Sequence, residues 1–253
     1  MGNTITAKMF GIFKKKEHKK EVTFDYSSLM VDMHSHVLPG IDDGAKTPEE
    51  SIALIRKLMA LGIKKIIATP HIMADYYKNT PETINAALVI LKDELKKENI
   101  NIAIEAAAEH YFDETFETRV NEKKLMTMGN NHVLFEFSFI NQPPNVISVV
   151  QKLKDLGYKP ILAHPERYPY MDLEQFKTLH DWGVDFQLNT ISLAGYYGKE
   201  AKKLAETLVD NQLVDYISSD MHHLRHAEAL KAALRMPYLE KLLFDYPLKN
   251  TLL

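Results

Sequence analysis

The chain has 253 residues, 45% of them hydrophobic and 26% charged, with a net charge of −3. That length supports one large domain with a substantial core, and the acidic balance argues against nucleic-acid binding. There is no cysteine, which excludes disulfides and a cysteine nucleophile and limits any metal to nitrogen and oxygen donors. No apolar run reaches the roughly 18 residues of a membrane span, and the first residues lack the apolar core of a secretory signal. A reducing, cytoplasmic location is the expectation.

Residues 1–28 show no sustained period and are expected to lie outside the core, as an extension to a domain over 29–253. Met1-Gly2-Asn3-Thr4-Ile5-Thr6 fits the myristoylation pattern, of consequence only in a eukaryotic host. Lys14-Lys15-Lys16 and Lys19-Lys20 read as a solvated basic tail, or as a weak attraction for an acidic membrane face or partner. The pattern then alternates. Leu29-Met30-Val31-Asp32-Met33 reads as a strand. Thr47-Pro48-Glu49-Glu50 opens a helix, with Thr47 as N-cap, Pro48 at the first helical position and Glu50 completing a capping box. Ile52, Ile55 and Met59 follow at helical spacing, and Gly62 ends the helix. A strand over 65–69 comes next, and Thr80-Pro81 starts a helix with Ile84, Leu88, Leu91 and Leu95 on one face. Strands over 102–108, 132–137, 160–163, 184–188 and 214–219 alternate with helices over 146–156, 173–182, 199–210 and 225–234. Such alternation means βαβ units and a parallel sheet. Seven strands predict an α/β fold of the irregular, TIM-like barrel kind; an open doubly wound sheet is the alternative. The barrel is preferred because candidate ligands sit at the ends of nearly every strand, whereas an open sheet gathers its site at one switch point.

Those ligands are the main chemical signal. His34-Ser35-His36 places two imidazoles on one side of an extended segment. Asp42-Asp43-Gly44 follows, with Asp43 a candidate oxygen ligand and Asp42 either its substitute or an orienting partner of a histidine. Thr69-Pro70-His71 stops a strand and leaves His71 at the rim; alone it would be an ordinary packed or solvated histidine. Glu109 follows the small run Ala106-Ala107-Ala108. Glu136 stands between Phe135 and Phe137, where a carboxylate is costly unless paired, protonated or metal-bound; an arginine partner is its plainer explanation. Ala163-His164-Pro165 repeats the strand, His, Pro order, and Asp220-Met221-His222 again supplies two alternating donors. Four carboxylates converging without cations would repel or take up protons. Three divalent ions would reverse the sign of the pocket and draw an anion into it. Mixed imidazole and carboxylate donors suit Mn, Fe or Zn rather than Ca. Arg167 and Arg225, each three residues past a candidate histidine, are placed to grip phosphate oxygens; their plainer readings are an ion pair with Glu166 or Asp172 and a solvated helix start. His18, His110, His132, His180, His223 and His226 are read as surface or packing residues, with support of the site as the lesser alternative for His223 and His226.

The ordered set His34-Ser35-His36, Leu38-Pro39-Gly40-Ile41-Asp42-Asp43-Gly44, Ala68-Thr69-Pro70-His71, Glu136-Phe137, Ala163-His164-Pro165-Glu166-Arg167-Tyr168 and Ser219-Asp220-Met221-His222 resembles the polymerase and histidinol phosphatase (PHP) superfamily. It is most similar to the CpsB/CapC-type tyrosine-protein phosphatases encoded with bacterial capsule and exopolysaccharide genes. Ser192-Leu193-Ala194-Gly195 with Gly198-Lys199 also resembles that subgroup. The resemblance implies a distorted (β/α)7 barrel and a trinuclear site, with manganese first among Mn, Fe and Zn. It implies one ion on His34, His36, Glu109 and Asp220, a second on Glu109, Glu136 and His164, and a third on Asp43, His71 and His222. Arg167 matches the family's phosphate arginine; Arg225 would be a second, although the stretch after His222 is shorter than in several relatives. The segment 107–110 lacks the glycine usual there.

The activity expected is hydrolysis of phosphotyrosine in a protein tail, with a bacterial tyrosine kinase as partner, and hence control of polysaccharide synthesis. Metal coordination would give hydroxide near neutral pH for in-line attack, with arginine stabilising the equatorial oxygens and His222 or water protonating the phenol. A small-molecule phosphatase such as histidinol phosphatase is the first alternative, and a non-catalytic, metal-stabilised interaction module the second. Nuclease activity is disfavoured by the charge.

Overall fold

The computed structural model describes residues 22–253. Its strands are β1 (Val31–Asp32), β2 (Lys65–Ala68), β3 (His71–Ile72), β4 (Ala103–Ala106), β5 (Glu109–Tyr111), β6 (His132–Glu136), β7 (Lys159–Ala163), β8 (Asp185–Asn189) and β9 (Tyr216–Ser218). Every paired neighbour is parallel, in the orders β1-β2-β4 and β3-β5-β6-β7-β8-β9. β3 continues β2 beyond Thr69-Pro70, and β5 continues β4 beyond Ala107-Ala108. Proline has no N–H to give a ladder, but Thr69 N donates to Ser35 O and Glu109 N to Pro70 O, so the sheet carries across the break. The strands therefore number seven in effect, and the fold is the distorted (β/α) barrel rather than the open sheet.

A ring needs its first and last strands joined, and here that seam is short of backbone pairing. At the top, Ser35 bridges Met221 in parallel, with Asp220 N donating to His34 O and His36 N to Met221 O. In the middle the buried Asp32 carboxylate accepts from Ser219 N at 2.8 Å and Ser219 Oγ at 2.5 Å. At the bottom the Asn250 amide donates to Val31 O at 3.0 Å and Ile217 O at 2.8 Å, and accepts from Ile217 N at 3.2 Å. Side chains replace the missing ladder.

Alternation along the strands divides the apolar residues in two. Val31, Met33, Ile67, Ala107, Leu134, Ile161, Ala163 and Tyr216, with Leu253 against them, fill the ring. Their neighbours Ile66, Val133, Phe135, Leu162, Phe186 and Ile217 face the helices in the larger core. The helices are α1 (Pro48–Ala60), α2 (Pro81–Lys97), α3 (Glu114–Asn121), α4 (Val146–Asp155), α5 (Leu173–Asp181), α6 (Lys199–Asp210), α7 (Leu224–Ala233) and α8 (Pro237–Phe244). Thr47 caps α1 by accepting from Glu50 N, but the Glu50 carboxylate turns to Lys46 N instead of closing the expected box. α2 does close one, between Thr80 and Thr83. α3 and α8 were not expected. No described helix is long and apolar enough to cross a membrane.

The expectation that residues 1–28 lie outside the core needs correcting where it can be seen. Residues 1–21, with the myristoylation pattern and the basic stretch, lie outside the described residues. Tyr26, however, is 2% exposed and donates to Leu230 O at 2.7 Å, which anchors the approach to β1 on α7. Packing begins before residue 29.

Replacing Asn250 by Ala strands three buried backbone groups at the seam. It should destabilise the protein by about 2 kcal/mol or more, measured by urea unfolding; a change under about 0.5 kcal/mol would show the strap to be dispensable. A second site under β8 and β9 sets acid sensitivity. Asp215 accepts from Phe186 N at 2.9 Å and contacts Lys249 Nζ at 2.7 Å and His180 Nε2 at 3.2 Å. Burial pushes its carboxyl up, but the His180, Lys249 and Phe186 hydrogen bonds hold it below the usual range. A depressed carboxylate adds stability above its unfolded pKa of about 4, lost as pH falls further. Asp215→Asn should therefore flatten the stability profile below about pH 4, and an unchanged acid limb would contradict this.

Candidate metal centre

The carboxyl ends of the strands bring the nine sequence-predicted ligands together. The cluster begins on the extension of β1, where His34 and His36 sit two apart with their Nε2 atoms 3.2 Å from each other. Each imidazole is fixed from behind. Gln187 Oε1 meets His34 Nδ1 at 2.8 Å, and Asp42 Oδ2 meets His36 Nδ1 at 2.7 Å. Asp42 also accepts from Gly44 N and His71 N, so all its capacity is spent on orientation. That decides between the two neighbouring aspartates. Asp43 is the one facing the cluster, with Oδ1 at 3.4 Å from His71 Nε2 and 3.5 Å from His222 Nε2. Gly44 carries no side chain because a Cβ there would lie 2.0 Å from His36 O.

Glu109 enters from β5 and is completely buried. Its carboxylate lies 2.9 Å from His164 Nε2, 3.0 Å from His71 Nδ1, 3.3 Å from His34 Nε2 and 3.4 Å from His36 Nε2. Glu136, at the end of β6, is 3.0 Å from His71 Nδ1 and 3.7 Å from His164 Nε2. Its partners are therefore imidazoles, not the arginine that was the plainer reading. Asp220 is 3.4 Å from His34 Nε2 and receives Asn189 Nδ2 at 2.7 Å. His164 and Asp220 have φ of 34° and 47°, left-handed values that are unfavourable for residues with a side chain, and for His164 doubly so before Pro165. The backbone is bent against its preference where it aims these donors.

Four sets of donors have ligand atoms within 4.8 Å of one another: His36, Asp43, His71 and His222; His34, His36 and Asp220; His34, Glu109 and His164; His71, Glu109 and Glu136. Their chemistry and geometry fit divalent cations. His71 Nδ1 and Glu109 Oε2 stand 3.0 Å apart, yet neither has a hydrogen-bond partner. Two buried polar atoms that close and out of line point to a third position between them. Electrostatics agrees. Burial pushes Glu109 up, but the imidazoles of His34 and His71 hold it well below the carboxylate range; His34, His222 and His36 do the same for Asp220. Burial lowers His36, yet Asp42 and Glu109 lift it to about 10; Glu109 and Glu136 lift His71 well above its ordinary value. Glu109 and Asp220 are thus favoured as anions and His36 and His71 as cations, and a metal ion competes with protons for the same positions.

The two arginines separate. Arg167, on the 3-10 turn after β7, reaches the cleft, with its guanidinium 4.1 Å from the Phe139 ring centroid, 4.2 Å from that of Tyr197 and 3.6 Å from Asp220 Oδ2. The expected ion pairs with Glu166 or Asp172 do not form: Glu166 accepts from Ser192 Oγ and Asn189 N, and Asp172 caps α5. Arg225 is a correction. It lies exposed on the first turn of α7 and is not among the residues that wall the cleft. His222 stacks on His36 at 3.9 Å, and its Nδ1 donates to Asp220 O at 2.9 Å. That leaves Nε2, 3.5 Å from Asp43 Oδ1, as the nitrogen turned to the cluster. The 580 Å³ cleft is walled by Met73, Tyr77, Tyr111, Phe139, Ile140 and Tyr196.

Some supporting residues escaped the sequence reading. Gln187, Asn189 and Ser218 form a buried polar chain behind His34 and Asp220. Tyr168 spans Phe137 N and Ala163 O, with its hydroxyl 3.4 Å from His164 Nδ1. His226, read first as a surface or packing residue, is buried with Nδ1 2.8 Å from Asp220 O. The signal for Gln187 and Asn189 was present: two polar residues two apart in a buried strand face one side together.

A barrel carrying nine converging nitrogen and oxygen donors beside an arginine defines a class of metal-centred hydrolase-type folds. Residues 30–242 match the family described as capsular polysaccharide synthesis, CpsB/CapC, and the chain belongs to that family. Among its relatives, tyrosine-protein phosphatase YwqE of Bacillus subtilis (strain 168) is 32% identical over 199 residues, 78% of each chain. One chain from the crystal structures of YwqE from Bacillus subtilis and CpsB from Streptococcus pneumoniae, described as unique metal-dependent tyrosine phosphatases, superposes with a TM-score of 0.77. It is 31% identical, over 87% of this chain and 89% of that one. Histidinol phosphate phosphatase from Lactococcus lactis subsp. lactis Il1403 shares the fold alone, with a TM-score of 0.53 and 13% identity over 81% of this chain and 92% of that one.

Gly44→Ala should force the loop off His36 and lower the bound metal per chain, read by elemental analysis of the purified protein. Full metal content in that variant would mean the loop can yield.

Proposed function

We propose that the protein is a metal-dependent phosphatase that hydrolyses phosphotyrosine in protein tails at a site of three divalent ions, manganese first among Mn, Fe and Zn. The carrying observation is Arg167. Among the described residues its guanidinium makes no hydrogen bond, and its carboxylate contact stands off at 3.6 Å. A largely buried cation with idle donors beside a metal-type basket is arranged for an anion with several oxygens, and a phosphoryl group fits. The relatives are phosphatases of the same kind.

The ligand sets we assign are His34, His36, Glu109 and Asp220 for one ion, Glu109, Glu136 and His164 for a second, and Asp43, His71 and His222 for the third. Bound divalent ions lower the pKa of nearby water and offset the four carboxylates. The chain does the rest. Gln187 and Asp42 hold two imidazoles in the tautomer that leaves Nε2 free. Arg167 holds the phosphoryl oxygens and meets the charge that grows on them during in-line displacement. The chain has no cysteine to accept a phosphoryl group, and we assign the attack on phosphorus to water. The phenol leaves with a pKa of about 10 and so needs little acid assistance. The aromatic walls of the cleft suit a phenyl ring better than the charged chain of an alkyl phosphate. A bacterial tyrosine kinase of capsule or exopolysaccharide synthesis is the partner this implies, in the cytoplasm.

The test is hydrolysis of a phosphotyrosyl peptide against histidinol phosphate, with and without chelator, and after manganese is restored. Activity should vanish with chelator, return with manganese and favour the peptide; preference for histidinol phosphate would reverse the assignment. Arg167→Ala should lower turnover by about a hundredfold with metal content intact. Unchanged turnover would remove Arg167 from the reaction.

A further inference from the structure

Arg167 is held in an unusual way for a side chain with no hydrogen bond. Phe139 comes from the segment after β6, Arg167 from the turn after β7 and Tyr197 from the segment after β8, so three successive loops meet at one guanidinium. Its central carbon lies 4.1 Å from one ring centroid and 4.2 Å from the other, so two aromatic rings border the guanidinium while its N–H groups form no hydrogen bond among the described residues. Both rings have further partners, although Phe139 is also 42% exposed. Phe139 packs on His164 at 5.6 Å and stacks on Tyr168 at 6.0 Å, while the Tyr197 hydroxyl lies 3.4 Å from Asp220 Oδ2. The trio also forms the partition between the metal cleft and a neighbouring cavity of 700 Å³ that reaches Pro169, Met171 and Lys203. Without the rings, a flexible arginine could swing through that partition and away from the cleft.

We propose that Phe139 and Tyr197 are positioning residues that clamp the Arg167 guanidinium face-on, so that its N–H edges point at the phosphoryl group. The proposal rests on Arg167 being the phosphate-binding group of the proposed reaction. Ring faces attract the cation through their quadrupole and leave its in-plane donors unspent, which a hydrogen-bonded support would not do. Orientation is thus supplied without competition for the donors the substrate uses. Leucine fills similar space but offers no ring face, so it separates this role from simple packing.

The decisive measurement is a cycle of Phe139→Leu, Arg167→Ala and the double variant on a phosphotyrosyl peptide, with metal content and thermal unfolding followed throughout. Phe139→Leu should lower kcat/KM by about ten- to a hundredfold, mostly in kcat, and Phe139→Tyr should recover most of that loss. In the Arg167→Ala background the leucine change should add nothing. Equal losses in both backgrounds, or a leucine variant as active as the wild type, would overturn the clamp. Should Phe139→Leu not fold, Tyr197→Leu takes its place in the same cycle, with Tyr197→Phe as the ring-retaining control. A second readout needs no turnover: phenylglyoxal modification of Arg167, followed by peptide mass mapping, should be severalfold faster once a ring is lost. Equal modification rates would count against the clamp even if the protein proved inactive on phosphotyrosine, which would itself sink the function proposed above.

Discussion

Glu109 has no solvent around it and four imidazoles within 3.4 Å. An ionised carboxylate so placed must be neutralised locally, or it would take up a proton and cease to be a ligand. Every other part of the site answers that demand. His34, His36, His71 and His164 surround the anion, and Gln187, Asp42 and Tyr168 hold three of those rings from behind. The arrangement is strongly charged and dry, which is why its members cannot be substituted one at a time without leaving another unpaired.

The barrel is shaped to permit this convergence. β2 and β4 each break and resume as β3 and β5, so His71 and Glu109 begin short new segments at the rim. Left-handed backbone at His164 and Asp220 turns two more donors inward. These distortions oppose regular pairing, and the core below them is correspondingly regular, with alternate apolar residues inside the ring and against the helices. Strain at the rim is carried by order underneath.

Much of this was legible because chemistry and punctuation coincide. Thr-Pro pairs mark the starts of α1 and α2, and a proline beside a histidine at a strand end, Pro70 before His71 and Pro165 after His164, marks both of those donors. Eight of the nine donors follow strand ends, where a parallel barrel must bring them together, and Asp43 joins them from the first loop. What escaped depended on three dimensions. α3 offers only Phe116 and Val120 to the core, too weak a period to see. The Glu50 carboxylate found Lys46 N nearer than Thr47 N. Arg225 matched by spacing, yet the helix phase of α7 turned it outward. Tyr26 lay in an aperiodic stretch and was buried by a helix two hundred residues further on. The partners of Arg167 come from loops whose meeting no local pattern foretells.

The amide of Asn250, 219 positions beyond Val31 in the chain, ties Val31 to Ile217. Contacts between such distant stretches carry a loop-closure cost and slow folding. The two arcs of strand can assemble from their own neighbours, but the ring cannot lock until this distant pair is stitched. His34 and Asp220 come from opposite sides of that junction. A chain left open at that junction would present the candidate donors as two separate groups, His34 with His36 on one edge and Asp220 with His222 on the other, and neither group alone holds the full set.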